Sequence, residues 1–193
     1  MTSFMNIRKI DPSKSNKERF FVDTNVWYWL TYVSSKQFLA NPPSDYQTTI
    51  YPDFIEKVLQ GGSELYYTQL TLVELANIIE RAELAIYNAK IGSGEQKISN
   101  IKKFRKIKDA RTNVLNEIEV AWQSIKNIAK ELPVNLHSGI LPEFLSTIQS
   151  FKLDGYDVLY YQIMKNNNIK NIITDDKDFI HINDIDVYCC YNQ

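Results

Sequence analysis

At 193 residues, with 44% hydrophobic and 23% charged side chains, the chain is long enough for one domain with a substantial core and too apolar for a disordered polymer. No apolar run approaches the roughly 20 residues that span a bilayer. The N-terminal MTSFMNIRKIDPSKSNKE also lacks the apolar centre of a secretory signal, so the expectation is a cytoplasmic protein with no membrane partner. A net charge of −1 excludes a globally basic nucleic-acid binder, yet Lys90–Arg111 carry eight basic and two acidic residues, +6 against −7 for the remainder. Such a segment reads either as the wet face of a helix or as a footprint for a polyanion. The two cysteines, Cys189 and Cys190, are adjacent and have no zinc-type spacing around them, so they read as apolar residues near a last strand.

Residues 1–18 are polar and patternless, an expected loose arm in front of a single domain spanning 19–193. RFFV is a short apolar strand, and TNVWYWLTYV opens a helix behind it. NPPSDYQ reads as loop because of its two prolines, and YPDFIEKVLQ as a short helix stopped by Gly61-Gly62. ELYYT is a second strand. In TLVELANIIERAELAIY, apolar residues at Leu72, Leu75, Ala76 and Ile79 give the i, i+3, i+4, i+7 stripe of an amphipathic helix. IGSGEQ breaks that pattern. From Ile98 to Leu132, apolar residues recur at threes and fours, giving one long helix or two. LPVNLH suggests a short edge strand, LPEFLSTIQSF a helix, and GYDVLYYQIMKNNN a helix with asparagines where it should cap. NIIT and DVYCCY are the final strands. Alternating strands and helices predict an α/β fold: three layers, α/β/α, around a central parallel sheet. In such sheets ligands gather beyond the carboxyl ends of the strands.

Four acids fall at that edge. Asp23 ends the RFFV strand, Glu74 is expected in the first turn of the helix after YYT, Asp157 in the first turn of the helix after KLDG, and Asp176 follows NIIT. Each has an ordinary reading as well. Thr71–Glu74 matches a capping box, Asp154 and Asp157 suit an N-cap and a first-turn acid, and the acids of TDDKDF suit Asx turns. Taken together, however, several carboxylates in one cleft repel one another unless something positive compensates. Oxygen donors without histidine or cysteine suit Mg²⁺ or Mn²⁺, either of which can activate water against a phosphodiester.

The stretches FVDTNVW, YYTQLTLVELANII, DGYDVLYYQIMKNN and IKNIITDDKDF resemble a PIN domain, the fold of many metal-dependent ribonucleases, including the VapC-type toxins of bacterial toxin–antitoxin pairs. The resemblance covers roughly residues 19–80 and 133–190. It implies Mg²⁺- or Mn²⁺-dependent endonucleolytic hydrolysis of RNA, with Asp23, Glu74, Asp157 and Asp176 as the metal-binding acids and Asp23 the foremost direct ligand. Asn25 and Thr174 fall on polar helpers, with Asp154 a supporting acid and Asp178 assigned a more structural part. An antitoxin protein and a homodimer are the partners the family implies. Two features depart from VapC-like chains: the arm before residue 19, and a helical insertion near 82–131. The insertion contains Lys102, Lys103, Arg105 and Lys106, candidate RNA contacts.

Other readings compete. A PIN fold that has lost catalysis would serve as an RNA-binding or assembly module, although such scaffolds tend to lose acids. A phosphohydrolase with an aspartyl nucleophile wants D-x-D at the first strand, where this chain has Asn25. His137 and His181 have no ligand partners at metal spacing and read as structural. Trp27, Tyr28, Trp29 and Tyr32 read as core more readily than as base-stacking platforms.

Overall fold

Every strand of the sheet runs the same way. The computed structural model describes residues 3–14, 17–92, 96–134 and 140–191. Among them the strands are β1 (Ser3–Asn6), β2 (Arg19–Val22), β3 (Glu64–Thr68), β4 (Lys130–Leu132), β5 (Asn171–Ile173) and β6 (Asp186–Cys189). The helices are α1 (Thr24–Thr31), α2 (Asp45–Gln60), α3 (Gln69–Lys90), α4 (Ile101–Phe104), α5 (Lys108–Ile128), α6 (Ile140–Ser150) and α7 (Gly155–Asn166). The spatial order is β1-β6-β5-β2-β3-β4, all parallel. The predicted α/β class is therefore the observed one.

Side-chain alternation along short strands builds two cores. Phe20 and Val22 point to the face covered by α1, α2, α3 and α5, while Phe21 points to the face covered by α7. Phe20 packs edge-on against Tyr188, with ring centres 5.0 Å apart, and is essentially fully buried. The aromatic run after β2 is largely core: Trp27, Trp29 and Tyr32 are all buried, as the packing reading expected. Cys189 and Cys190 are buried free thiols at the end of β6.

Several boundaries differ from the sequence reading. The loose arm is corrected by β1, which pairs with β6 in register from Ser3↔Asp186 to Asn6↔Cys189. A four-residue strand, SFMN, is too short to show an alternation, and its place is set by a partner some 180 residues away. Helix α2 begins at Asp45, inside the expected loop, because the Ser44 backbone N–H is taken by the Gln47 side chain (2.9 Å). Its end matches the expectation: Gly61 caps it, and Gly62 follows with φ of 75°. Helix α3 starts at Gln69, with the Thr68 N–H bonded to the Thr71 hydroxyl (3.2 Å). The expected capping box at Thr71–Glu74 is thus displaced, and Glu74 lies in the second turn. The apolar stretch from Ile98 onward resolves into the single turn α4 and the long α5. The edge strand is β4, slightly ahead of LPVNLH, whose last residues, with His137, lie outside the described ones.

The chain leaves β2 for β3 and β4 on one side, then crosses back to β5 and β6 on the other, so the direction of winding reverses between β2 and β5. At such a switch point the helices following the two strands diverge and leave a crevice at the carboxyl edge. The Asp23 N–H closes the seam by donating to the Ile173 carbonyl (3.0 Å).

Ile7 tests the docking of the N-terminal strand. Its N–H donates to the Cys189 carbonyl (3.0 Å), and its side chain is 4% exposed in the core. Ile7→Ala is expected to destabilise the fold by about 2–4 kcal/mol in urea unfolding. A loose arm would leave stability within about 0.5 kcal/mol of wild type.

Candidate metal centre

The crevice between β2 and β5 is lined by carboxylates from four elements. Asp23 ends β2 and precedes α1, but its side chain makes no capping bond. It is instead buried and accepts a hydrogen bond from the Thr174 hydroxyl (2.7 Å). Thr174 is fully buried just after β5, and its oxygen in turn accepts from the Asp176 N–H (2.9 Å). One hydroxyl thus ties the tips of the two strands and holds Asp23 and Asp176 in a common frame. Asp176 accepts the Asp178 N–H (2.8 Å), so the turn reading of TDDKDF holds alongside any ligand role.

Asp154 is the N-cap of α7, accepting from the N–H groups of Tyr156 (2.8 Å) and Asp157 (3.0 Å), as its ordinary reading said. The cap sets the first turn and leaves the buried Asp157 carboxylate turned to the crevice. Oxygens of Asp157, Asp176 and Asp178 lie within 4.8 Å of one another. Asp178 therefore belongs to the acidic cluster itself, more than the structural part assigned to it. Asp23 and Glu74 fall outside that tightest grouping but close enough to act on it electrostatically.

Glu74 is positioned by two residues that the sequence reading passed over. The buried Tyr160 hydroxyl donates to Glu74 (2.7 Å) and lies 2.8 Å from the buried Thr24 hydroxyl. Tyr160 follows Asp157 by three positions on α7, the i, i+3 spacing that shares a helix face, and that was the available signal.

The electrostatics are those of an uncompensated site. Burial first, then Glu74 and Asp176, push the Asp23 carboxyl up to about 7, against the pull of the Thr174 hydrogen bond. Burial, then Asp23, Asp154, Asp176 and Glu74, push Asp157 up to about 9. Asp176 is raised by burial, opposed by the Asp178 N–H. Among the described residues, no Lys or Arg is ion-paired with any of these acids. Around a six-coordinate Mg²⁺ with metal–oxygen distances of about 2.1 Å, ligand oxygens sit roughly 3–4 Å apart, so the cluster fits such an ion with small side-chain adjustments.

Beside the acids opens a cleft of about 440 Å³ lined by Asn25, Trp29, Gln47, Asp175, Asp176 and Lys177. Its wall is braced by Asp175, which accepts from Tyr46 (2.9 Å), Gln47 (2.9 Å) and Tyr51 (2.7 Å) and so pins α2 to the end of β5. The two adjacent aspartates divide the work: one latches a helix, the other faces the site.

The basic segment is not at this centre. Arg105 makes two hydrogen bonds to the buried Glu80 (2.8 and 2.5 Å), which also pairs with Arg111 (3.0 Å). Arg105 is thus ion-paired to α3 while its side chain stays exposed. Lys102, Lys103 and Lys106 stay exposed on and just after α4.

A pH dependence follows. In the metal-free protein the folded state holds protons on Asp23 and Asp157 that the unfolded chain, with ordinary values near 3.8, gives up. The stability from these groups is complete below about 4 and is lost as pH rises through about 7 and then 9. A cation replaces those protons, so the rise in Tm on adding Mn²⁺ to EDTA-stripped protein is expected to be larger at pH 8 than at pH 5. Tm values that ignore Mn²⁺ at both pH values would contradict the site.

A search of curated proteins returned no match. The PIN domain pattern matches residues 47–185, more than half of the chain, and includes Glu74, Asp157, Asp176 and Asp178. The stretch before it contributes Asp23 through geometry. PIN domains are mostly metal-dependent nucleases, and the acidic cluster is of the kind that holds their metal. With the parallel sheet, the switch-point crevice and the matched stretch in agreement, the chain belongs to the PIN domain family.

Proposed function

We propose that the protein is a Mg²⁺- or Mn²⁺-dependent endoribonuclease that hydrolyses RNA phosphodiester bonds. The observation carrying this reading is the convergence of Asp23, Glu74, Asp157 and Asp176 on one crevice, with none of them ion-paired to a Lys or Arg among the described residues. A site selected only for stability would have paired or replaced such acids.

In this reading Asp23, Asp157 and Asp176 hold the cation, with Asp178 completing the oxygen set. A bound Mg²⁺ or Mn²⁺ supplies an activated water and stabilises charge on the phosphodiester. Thr174 fixes the Asp23 carboxylate by donating to one oxygen, leaving the other for the crevice. Glu74, oriented by Tyr160 and Thr24, is the carboxylate placed to act as general base and take a proton from the attacking water. Water adds to phosphorus as the bond to the leaving ribose oxygen breaks, and that oxygen leaves with a proton from solvent.

The toxin label goes further. The likeness of the motifs to VapC-type chains supports a role as the toxin of a toxin–antitoxin pair, held in check by a partner protein, acting as a homodimer in the cytoplasm. No described helix is long and apolar enough to cross a membrane. One domain would include β1 on the sheet edge, with the helical addition near 82–131 built onto α3.

The test is incubation of the protein with total RNA in Mg²⁺, Mn²⁺ or EDTA, beside Asp23→Asn. Discrete fragments that require metal are expected, with cleavage lowered about 10²-fold or more in the variant. Intact RNA in every condition would favour the non-catalytic module. Equal cleavage by Asp23→Asn would remove Asp23 from the machinery.

A further inference from the structure

All strands being parallel, each delivers the residues that follow it to the same edge, and β1 delivers a cation. Past Asn6 the chain turns, with the Arg8 N–H donating to the Asn6 side chain (2.9 Å) and the Lys9 N–H to its carbonyl (3.0 Å). The exposed Arg8 guanidinium then lies over the Tyr46 ring, 5.8 Å from its centre. The exposed Lys177 ammonium, between Asp176 and Asp178, lies 4.7 Å from the centre of the Tyr191 ring. Neither cation is ion-paired with a carboxylate among the described residues.

Both rings are fixed by one residue. Tyr46 donates to the Asp175 side chain (2.9 Å), and Tyr191 donates to the Asp175 backbone carbonyl. Stacking on anchored rings limits the freedom of the two cations without neutralising them, so each keeps its charge for a ligand. Lys177 also forms part of the cleft beside the acids, and Tyr46 precedes Gln47 in its wall. Inside the cleft, the Asn25 amide makes no hydrogen bond with the described residues, and the buried Trp29 forms part of the wall. Unneutralised cations and an unused amide are what a single strand needs: phosphate contacts and one base edge to read.

We propose that Arg8 and Lys177 form a phosphate track for single-stranded nucleic acid, leading the nucleotide beside the scissile bond into the cleft at Asn25 and Trp29. This rests on the nuclease reading and adds to it where the strand lies. The track runs over the β1–β6–β5 half of the carboxyl edge, using a residue that precedes the PIN-matched stretch. The lysines of α4 sit elsewhere: Phe104 packs on Tyr87 with ring centres 5.5 Å apart, and Tyr87 is 13 residues beyond Glu74 along α3, about 20 Å at 1.5 Å per residue.

The experiment is a salt titration of binding to a short fluorescein-labelled single-stranded oligoribonucleotide, in Mg²⁺ and in the Asp23→Asn background so that it is not cut. Each lost phosphate contact lowers the slope of log K against log salt by about 0.7. The double variant Arg8→Ala/Lys177→Ala is expected to lower the slope by about 1.4 and to weaken low-salt binding roughly tenfold. Lys177→Arg should keep the parent slope, and Lys102→Glu/Lys103→Glu should leave it unmoved. An unchanged slope in the double variant, or a drop confined to the α4 variant, would overturn the track. Wild-type cleavage is scored separately: an active nuclease with an unmoved slope overturns the track alone, whereas a chain that neither cuts nor binds overturns both readings.

Discussion

The structure turns on a carboxylate that is expensive to bury. Asp23 is 3% exposed, its carboxylate accepts from the Thr174 hydroxyl, and its charged neighbours Glu74 and Asp176 are acids. An ionised carboxylate in that position costs several kcal/mol unless a cation joins it. The fold keeps it there because the surrounding contacts leave little alternative. The Asp23 backbone is stitched to β5, its flanking apolar residues fill both cores, and the reversal of winding between β2 and β5 leaves the crevice open directly above it. Electrostatic strain concentrated in one crevice is the pattern expected where function rather than stability set the residues.

The supporting shell is as informative as the acids. In the run Thr174-Asp175-Asp176-Lys177-Asp178, successive residues turn to different tasks. Thr174 orients Asp23, Asp175 latches three side chains of α2, Asp176 faces the centre, Lys177 stacks outward on Tyr191, and Asp178 returns to the cluster. Tyr160 and Thr24 similarly hold Glu74 from the opposite side. Ligands held this way keep their geometry when the ion binds, which limits the reorganisation that binding must overcome. Away from the centre, the helical addition is secured by its own buried charges. Glu80 pairs with Arg105 and Arg111, and Glu83 with Lys36, the Tyr32 hydroxyl and the Asn113 amide. Two of the eight basic residues in Lys90–Arg111, Arg105 and Arg111, are thereby tied to α3.

What could be read from the sequence was whatever depends on local pattern. Short apolar runs alternating with amphipathic helices implied the parallel sheet, and acids just past strand ends implied a shared edge. What could not be read depends on contacts between distant segments. β1 is too short, at four residues, to show a pattern and exists because β6 offers it an edge. The start of α3 was misplaced because two threonines three residues apart, Thr68 and Thr71, each precede a plausible first turn, and only packing selects the earlier one. Asp175 and Asp176 are chemically identical neighbours, and nothing short of the position of α2 says which is the latch. The ion pair of Arg105 was hidden because its buried partner, Glu80, lies 25 residues earlier, on another helix.

The central claim is that these carboxylates form one cation site in which Asp23 takes part. Crystals grown with Mn²⁺ and measured at a wavelength where manganese scatters anomalously would test it most directly. The account predicts a peak in contact with Asp157 and Asp176, with Asp23 bound to that ion or to a second beside it. An anomalous map empty at the crevice, or a peak confined to the exposed Asp178, would contradict it.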